Sequence, residues 1–154
     1  MEKAIGETVL FLDHDDLLRP GALLALLTAL EEDSSSGGII ARAQDFVSPE
    51  LDEEEARKIA IRPEPYHGLM SGAMLFRKNV VARVRGFDEA RATAQTMDFL
   101  QRVRQAGIGM RKIDMITVDR RLHLTNMGRT MQAQEGRDHA GLLRERLRGN
   151  NRGR

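Results

Sequence analysis

Cysteine and tryptophan are absent from the 154 residues, and tyrosine occurs once. Without cysteine the chain can form neither disulfides nor thiolate metal sites, and we expect a protein of a reducing compartment, the cytoplasm. No run of about 18 apolar residues occurs, so we expect no membrane span, and residues 1–4 lack the apolar core of a signal peptide. The remaining composition, with 41% hydrophobic and 31% charged residues, is typical of a soluble globular chain.

Acidic and basic residues are unevenly distributed along the chain. Residues 1–58 contain 14 acidic and 5 basic side chains, whereas residues 119–154 contain 4 acidic and 9 basic ones. An acidic region that faces a basic one suits a cation bound together with an anionic substrate. Arg-rich tails are equally often only solvated surface. We expect no nucleic-acid partner.

The stretch from Val9 to Asp16 has the strongest functional pattern. Its four apolar residues, 9–12, predict a short strand buried on both faces, as in parallel sheets. Asp13, Asp15 and Asp16 follow directly, and ligands of open α/β sheets bind at the carboxyl ends of strands. Because neighbouring carboxylates repel one another, a divalent cation would compensate them in a concave site. The alternative is a solvated loop that caps the next helix.

Strand-like and helix-like segments alternate along the chain, which predicts an α/β fold with a mostly parallel mixed sheet. Pro20 suits the first position of a helix, and Ser48-Pro49-Glu50 has the composition of another helix start. An apolar helical stripe is predicted from Leu23, Leu26, Leu27 and Leu30. Further strands are expected at 39–47, at the end of 68–76 and at 113–118, and further helices at 79–84, 98–106 and 132–147. We expect an α/β domain over 1–130, then a helix and basic tail over 131–154.

Three kinds of site use acids in this arrangement. An EF-hand loop starting at Asp13 would need Gly and Glu where Leu18 and Leu24 stand, which excludes it. A haloacid-dehalogenase-like phosphatase would use the first Asp as its nucleophile, but its pattern normally continues into Thr where this chain has Leu17. In a nucleotide-sugar glycosyltransferase, the Asp-x-Asp pair holds Mg²⁺ or Mn²⁺ against the donor's diphosphate.

The sequence resembles family 2 glycosyltransferases of the GT-A fold in five segments that follow the family's order. They are GETVLFLDHDDLLRPGAL at 6–23, MSGAMLFR at 70–77, VRGFDE at 84–89, DFLQR at 98–102 and RRLHLTNMGR at 120–129. The likeness covers about residues 4–130. It implies a partial GT-A fold and an inverting, metal-dependent transfer of sugar from a nucleotide-diphosphate donor to an acceptor that the sequence does not identify.

The resemblance also implies roles for individual residues. Asp15 would be the main metal ligand, and Asp13 would lie near the metal or the donor's ribose. Ser71 and Gly72 would lie near the donor sugar or the acceptor. The diphosphate would be faced by Arg121, His123 and Arg129, in agreement with the fit of Arg to phosphate oxygens.

Two departures from the family lead to a second hypothesis. Inverting members carry a Glu-Asp pair, whose Asp is the general base, where this chain has Gln95-Thr96. Asp98 could substitute as the catalytic base, or it could only favour the start of a helix. The family's N-terminal strand–helix–strand half has no counterpart before Gly6, so we expect a fragment or a self-associating chain that covers the open edge. A non-catalytic remnant or interaction module of the same fold is therefore the alternative to an active enzyme.

Overall fold

The computed structural model describes residues 4–91 and 93–126, together with residues 136, 138, 140 and 141. Within this part of the chain, five strands form one sheet: β1 (Thr8–Leu10), β2 (Leu17–Leu18), β3 (Gly38–Val47), β4 (Met74–Arg77) and β5 (Arg111–Leu122). The helices are α1 (Ala22–Glu32), α2 (Glu53–Arg57), α3 (Lys78–Arg83) and α4 (Gln95–Gln105), and a 3-10 turn spans Ser71–Ala73. The expected α/β class and mixed sheet are confirmed.

The strand order is β1-β4-β3-β5-β2, and only β3 and β5 pair in parallel within these five strands. The prediction of a mostly parallel sheet is therefore wrong. The reason is that β4 lies between β1 and β3 and runs antiparallel to both. The connection from β3 to β4 contains the five-residue α2 and the 3-10 turn Ser71–Ala73. It is thus not the long helical crossover that typically joins adjacent parallel strands.

The first strand lies at one edge of the sheet, so the prediction that it is buried on both faces is also wrong. Thr8, Val9 and Leu10 are half-buried, and Leu12 is beyond the strand and 43% exposed. An apolar run of this length does not distinguish a central strand from an edge strand that is covered by neighbouring side chains.

The buried face of α1 differs from the predicted leucine stripe. Leu26 and Leu30 are buried against the sheet together with Ala22 and Ala29, whereas Leu23 and Leu27 point outward. The helix begins at Ala22, because Gly21 takes the N-cap position with a φ of +76°. Pro20 therefore precedes the helix and is not its first residue. Small alanines allow the helix to lie close to β3, and this contact decides which face of the helix is buried.

The second helix begins later than predicted. Ser48-Pro49-Glu50 does not start it, since Asp52 is the N-cap of α2. The Asp52 carboxylate accepts from the Glu55 amide at 2.8 Å, and the Glu55 side chain accepts from the Asp52 amide at 3.2 Å. This reciprocal pair satisfies two backbone N–H groups at the start of the helix, and it therefore places the start at Asp52.

The main core lies between β4 and the pair α3 and α4. Phe76 and Phe99 are fully buried, with ring centroids 5.0 Å apart and nearly perpendicular planes, an arrangement that aromatic pairs prefer. The predicted helices and strands of this region are confirmed within a few residues at each end. No helix of the described residues is long and apolar enough to cross a bilayer. The helix predicted at 132–147 lies almost entirely outside the described residues.

Candidate functional site

A cleft of about 720 Å³ opens where β1 and β5 end. Its walls come from residues 11–16 after β1, residues 69–71 before β4, residues 93–97 at the start of α4, and the end of β5 with the turn that follows it. Phe11 and Phe87 form an apolar side, with ring centroids 4.9 Å apart. All three acids of the predicted site, Asp13, Asp15 and Asp16, line this concavity.

Asp16 is the most buried of the three acids, with 7% of its surface exposed. Its Oδ1 accepts from the amide of Arg121 at 3.0 Å. Its Oδ2 is buried without a hydrogen-bond partner in the described part of the chain. Burial raises the pKa of Asp16 to about 6, and the charges of Asp13 and Asp15 add to this rise, against the amide of Arg121 and the charge of Arg120. A buried carboxylate oxygen without a hydrogen-bond partner is suited to bind a cation or to accept a proton from a donor.

Asp15 is tied to the end of β5 by His123. The imidazole Nε2 of His123 lies 2.9 Å from Asp15 Oδ2, and its Nδ1 lies 2.9 Å from Thr125 Oγ1. Partial burial raises the pKa of Asp15, but the hydrogen bond with His123 and the nearby histidine charges outweigh it, so the pKa lies below its ordinary value. This carboxylate stays ionised and oriented, as a metal ligand requires.

Asp13 lines the cleft together with Ser71, which precedes β4. Partial burial and the charge of Asp15 raise the pKa of Asp13, while Arg120, His14 and a hydrogen bond with Ser71 oppose the rise. Ser71 lines the cleft, but Gly72 lies beneath it. A Cβ on Gly72 would come within 3.0 Å of the Leu12 side chain and 3.2 Å of Val118, so this glycine allows the turn to approach β5 closely.

Arg121 is held by acceptors of the protein. Its Nη1 donates to both carboxylate oxygens of Glu50 at 3.1 and 3.2 Å, and its Nε donates to the carbonyl of Asp15 at 3.1 Å. The guanidinium also lies 5.3 Å from the centre of the Phe46 ring. Arg121 therefore fixes the rim of the cleft, and its remaining donors are the ones that could reach a ligand.

Arg120 is bound in a different manner. Its neighbour is the phenol of Tyr66, whose hydroxyl donates to Asp45 Oδ1 at 2.6 Å. Burial lowers the pKa of Arg120, but Tyr66 and the carboxylates of Asp45 and Asp16 raise it overall. The guanidinium thus remains charged at the wall of the cleft.

Asp98 does not line the cleft. Its carboxylate lies 2.7 Å from Arg102 Nη2 and 3.4 Å from Arg91 Nε, and 7% of the residue is exposed. Gln95 and Thr96 do line the cleft, together with Ala94, whose φ of +57° is unusual for a residue other than glycine. Arg129 lies outside the described residues.

Two carboxylates of this chain, Asp13 and Asp15, are suited to a hard divalent cation. Among the residues described, no group of three or more His, Asp or Glu side chains is arranged to hold a metal ion. Mg²⁺ commonly binds to one or two carboxylates and completes its shell with water and substrate phosphates. The residues therefore fit a cation that binds together with a phosphate ligand better than a permanently held one.

Sequence reasoning did not identify Asp45 or Tyr66, and it gave Arg120 no role. The β3–β5 ladder places Asp45 opposite Arg120, and Tyr66 forms an antiparallel β-bridge with Ala43 of β3. The register of a parallel pair cannot be read from two segments this far apart.

Comparison with known proteins does not assign the chain to a family. No protein-family model matches it, and no curated protein matches it.

Proposed function

We propose that the cleft binds a nucleotide-diphosphate sugar together with Mn²⁺ or Mg²⁺, and that the chain is a glycosyltransferase-like protein that transfers the sugar to an acceptor. The observation that carries this proposal is the composition of one cleft. Asp13 and Asp15 line it together with Arg120, Arg121 and His123. Carboxylates suit the cation, and guanidinium groups suit the phosphates.

The chemistry follows from the charge that develops on the leaving group. When the bond between the sugar and the diphosphate breaks, negative charge accumulates on the departing phosphate oxygen. A bound divalent cation stabilises that charge as a Lewis acid. Asp15 is ionised and oriented by His123, so it is the main proposed ligand, and Asp13 is the second.

Calorimetric titration of the chain with Mn²⁺ and UDP tests this proposal. We expect saturable binding of UDP that requires Mn²⁺ and is lost in Asp15→Ala. Asp114→Ala is the matched control, because Asp114 is an exposed aspartate of β5 outside the cleft. Absence of binding by the parent chain would reject the proposal.

A binding module without turnover is the second candidate, and the position of Asp98 favours it. Asp98 is engaged by Arg91 and Arg102 outside the cleft, while Gln95 and Thr96 occupy the wall. Neither an amide nor a hydroxyl is a general base near neutral pH. This candidate predicts binding of UDP without release of sugar, and measured hydrolysis or transfer from UDP-sugars would exclude it.

Self-association belongs to the same proposal. Leu23 and Leu24 on α1 are 47% and 71% exposed, and Leu17 on the edge strand β2 is 50% exposed. Exposed apolar side chains of this size favour association. Light scattering after gel filtration should give a mass above that of one chain, and a stable monomer at high concentration would count against it.

A further inference from the structure

The side chains of Asp45, Tyr66 and Arg120 form a row of polar groups that ends in the cleft. A phenol has one proton, and Tyr66 donates it to Asp45 Oδ1 at 2.6 Å. Toward its other neighbour, the guanidinium of Arg120, the phenol oxygen can therefore act only as an acceptor. Asp45 is buried, with 6% of its surface exposed, whereas Arg120 lines the cleft. The row thus runs from the interior to the ligand space.

The backbone fixes all three residues. Asp45 and Arg120 are direct partners in the parallel ladder of β3 and β5, so their side chains lie on the same face of the sheet. The amide of Tyr66 donates to the carbonyl of Ala43 at 3.0 Å, and its carbonyl accepts from Ala43 at 2.9 Å. The guanidinium of Arg62 lies 4.4 Å from the centre of the Tyr66 ring. The phenol is therefore held beside Arg120 from two sides.

The phenol separates two opposite charges. Within the described part of the chain, no ion pair joins Arg120 to a carboxylate, although Asp45 and Asp16 act on it electrostatically. Arg121, by contrast, is paired with Glu50. A guanidinium has five N–H donors, and the single phenol oxygen of Tyr66 cannot accept from all of them. Arg120 can therefore offer donors to an anion in the cleft.

We propose that Arg120 binds the phosphate oxygens of the ligand, and that Tyr66 is a positioning residue that keeps Arg120 from pairing with Asp45. This inference rests on the proposed function, which supplies the anionic ligand. It assigns the direct contact to Arg120, because Arg121 is engaged by Glu50 and the Asp15 carbonyl. Paired guanidinium donors match the geometry of phosphate oxygens.

Calorimetric titrations with UDP and with inorganic pyrophosphate, each in the presence of Mn²⁺, test the role of Arg120. We expect Arg120→Gln to weaken both by about 10-fold to 100-fold, since a charge-assisted hydrogen bond is lost. Arg111→Gln is the matched control, because Arg111 lies at the other end of β5 and binds Glu32. It should leave both affinities unchanged. Circular dichroism establishes that each variant is folded.

The role of Tyr66 is tested by rescue. In Tyr66→Phe the spacer hydroxyl is gone, so Arg120 should pair with Asp45 and the affinity for pyrophosphate should fall by about 10-fold. Adding Asp45→Asn removes the competing charge, and the double variant should recover most of the loss. A merely structural role predicts the opposite, because a second substitution in a buried network would weaken binding further.

The outcomes separate this inference from the proposed function. If the parent binds both ligands but Arg120→Gln and Tyr66→Phe bind them equally well, the assignment is wrong and the proposed function stands. If Tyr66→Phe weakens binding and Asp45→Asn does not restore it, the positioning role of Tyr66 is wrong. If the parent binds neither ligand, the proposed function fails, and the assignment of Arg120 fails with it.

Discussion

The imidazole of His123 joins the turn after β1 to the end of β5, with its Nε2 2.9 Å from Asp15 Oδ2. The two residues are 108 positions apart in the sequence. Thr125 holds the other ring nitrogen, so the ring has little freedom to rotate. The orientation of the proposed metal ligand thus depends on a residue from the far end of the described chain.

We predict that His123→Ala lowers the free energy of unfolding at neutral pH by about 1 kcal/mol, because a hydrogen bond to a partly exposed carboxylate is lost. The pKa of Asp15 is lowered in the folded state, so this stability is present above the unfolded value of 3.8 and is lost as the pH falls through the folded value. Urea unfolding at neutral pH and in acid measures the difference. His14→Ala, at a side chain that is 98% exposed, should change little.

Asp16→Asn should stabilise the chain at neutral pH. The pKa of Asp16 is raised from 3.8 to about 6 in the folded state, so ionised Asp16 opposes folding, and stability falls as the pH rises between these values. The amide keeps the acceptor for Arg121 and removes the charge, which should add about 3 kcal/mol above pH 6 and nothing below pH 3.8.

Urea unfolding of parent and Asp16→Asn across this pH range checks the prediction, with Asp114→Asn as an exposed control. An equal stability of the two chains at neutral pH would contradict it. Addition of Mn²⁺ should stabilise the parent more than the variant if the cation lies beside Asp16, because the bound charge then offsets the buried carboxylate.

Asp98→Asn should destabilise the chain by about 3 kcal/mol, because it leaves Arg102 and Arg91 without their shared carboxylate. Only 10% of the Asp98 side chain is exposed. The matched control is Asp88→Asn, since Asp88 also binds Arg91 but its side chain is 44% exposed, and the expected loss is below about 1 kcal/mol. If folded Asp98→Asn binds UDP as the parent does, Asp98 acts on the fold and not on the ligand.

Gly72→Ala should cost about 1–2 kcal/mol of stability. The new methyl would lie 3.0 Å from Leu12 Cδ1 and 3.2 Å from Val118 Cγ2. Leu12 is partly exposed and can move, whereas Val118 is fully buried in the sheet. Gly109→Ala is the control, because no atom lies within 4 Å of its added methyl. Thermal unfolding of both variants decides whether space at Gly72 is limiting.

Two leucines of α1 differ sharply in burial and can be compared directly. Leu26 is fully buried and Leu24 is 71% exposed. Leu26→Ala should therefore cost about 3 kcal/mol through the cavity it leaves, and Leu24→Ala less than about 0.5 kcal/mol. Denaturant unfolding distinguishes them, and similar losses would mean that the outer face of α1 is also covered.

Local signals in the sequence predicted the elements well. The predicted end of a helix at residue 106 is confirmed within one residue, where Gly107, with a φ of +73°, follows the C-cap of α4. The apolar residues at 39–41 and at 46–47 predicted β3 nearly to its ends. These features depend on residues within a few positions of one another, where turn chemistry and apolar spacing decide the structure.

Features that depend on distant partners could not be predicted. The direction of β4 is set by its insertion between β1 and β3, and the buried face of α1 by its packing on the sheet. In the site, the acidic turn with Asp13, Asp15 and Asp16 could be predicted, because these residues are neighbours in the sequence. The group of Asp45, Tyr66 and Arg120 was missed, because it requires the register of β3 against β5 and the pairing of Tyr66 with Ala43.

The ladder between β3 and β5 is irregular on both sides of Arg42. From Ile40 to Ala43, β3 advances three residues while β5 advances from Lys112 to Val118. Side chains alternate along a strand, so losing one residue from this part of β5 would exchange the directions of Arg120 and Arg121. Single-residue insertions and deletions here should therefore abolish ligand recognition while the aromatic interior around Phe76 survives.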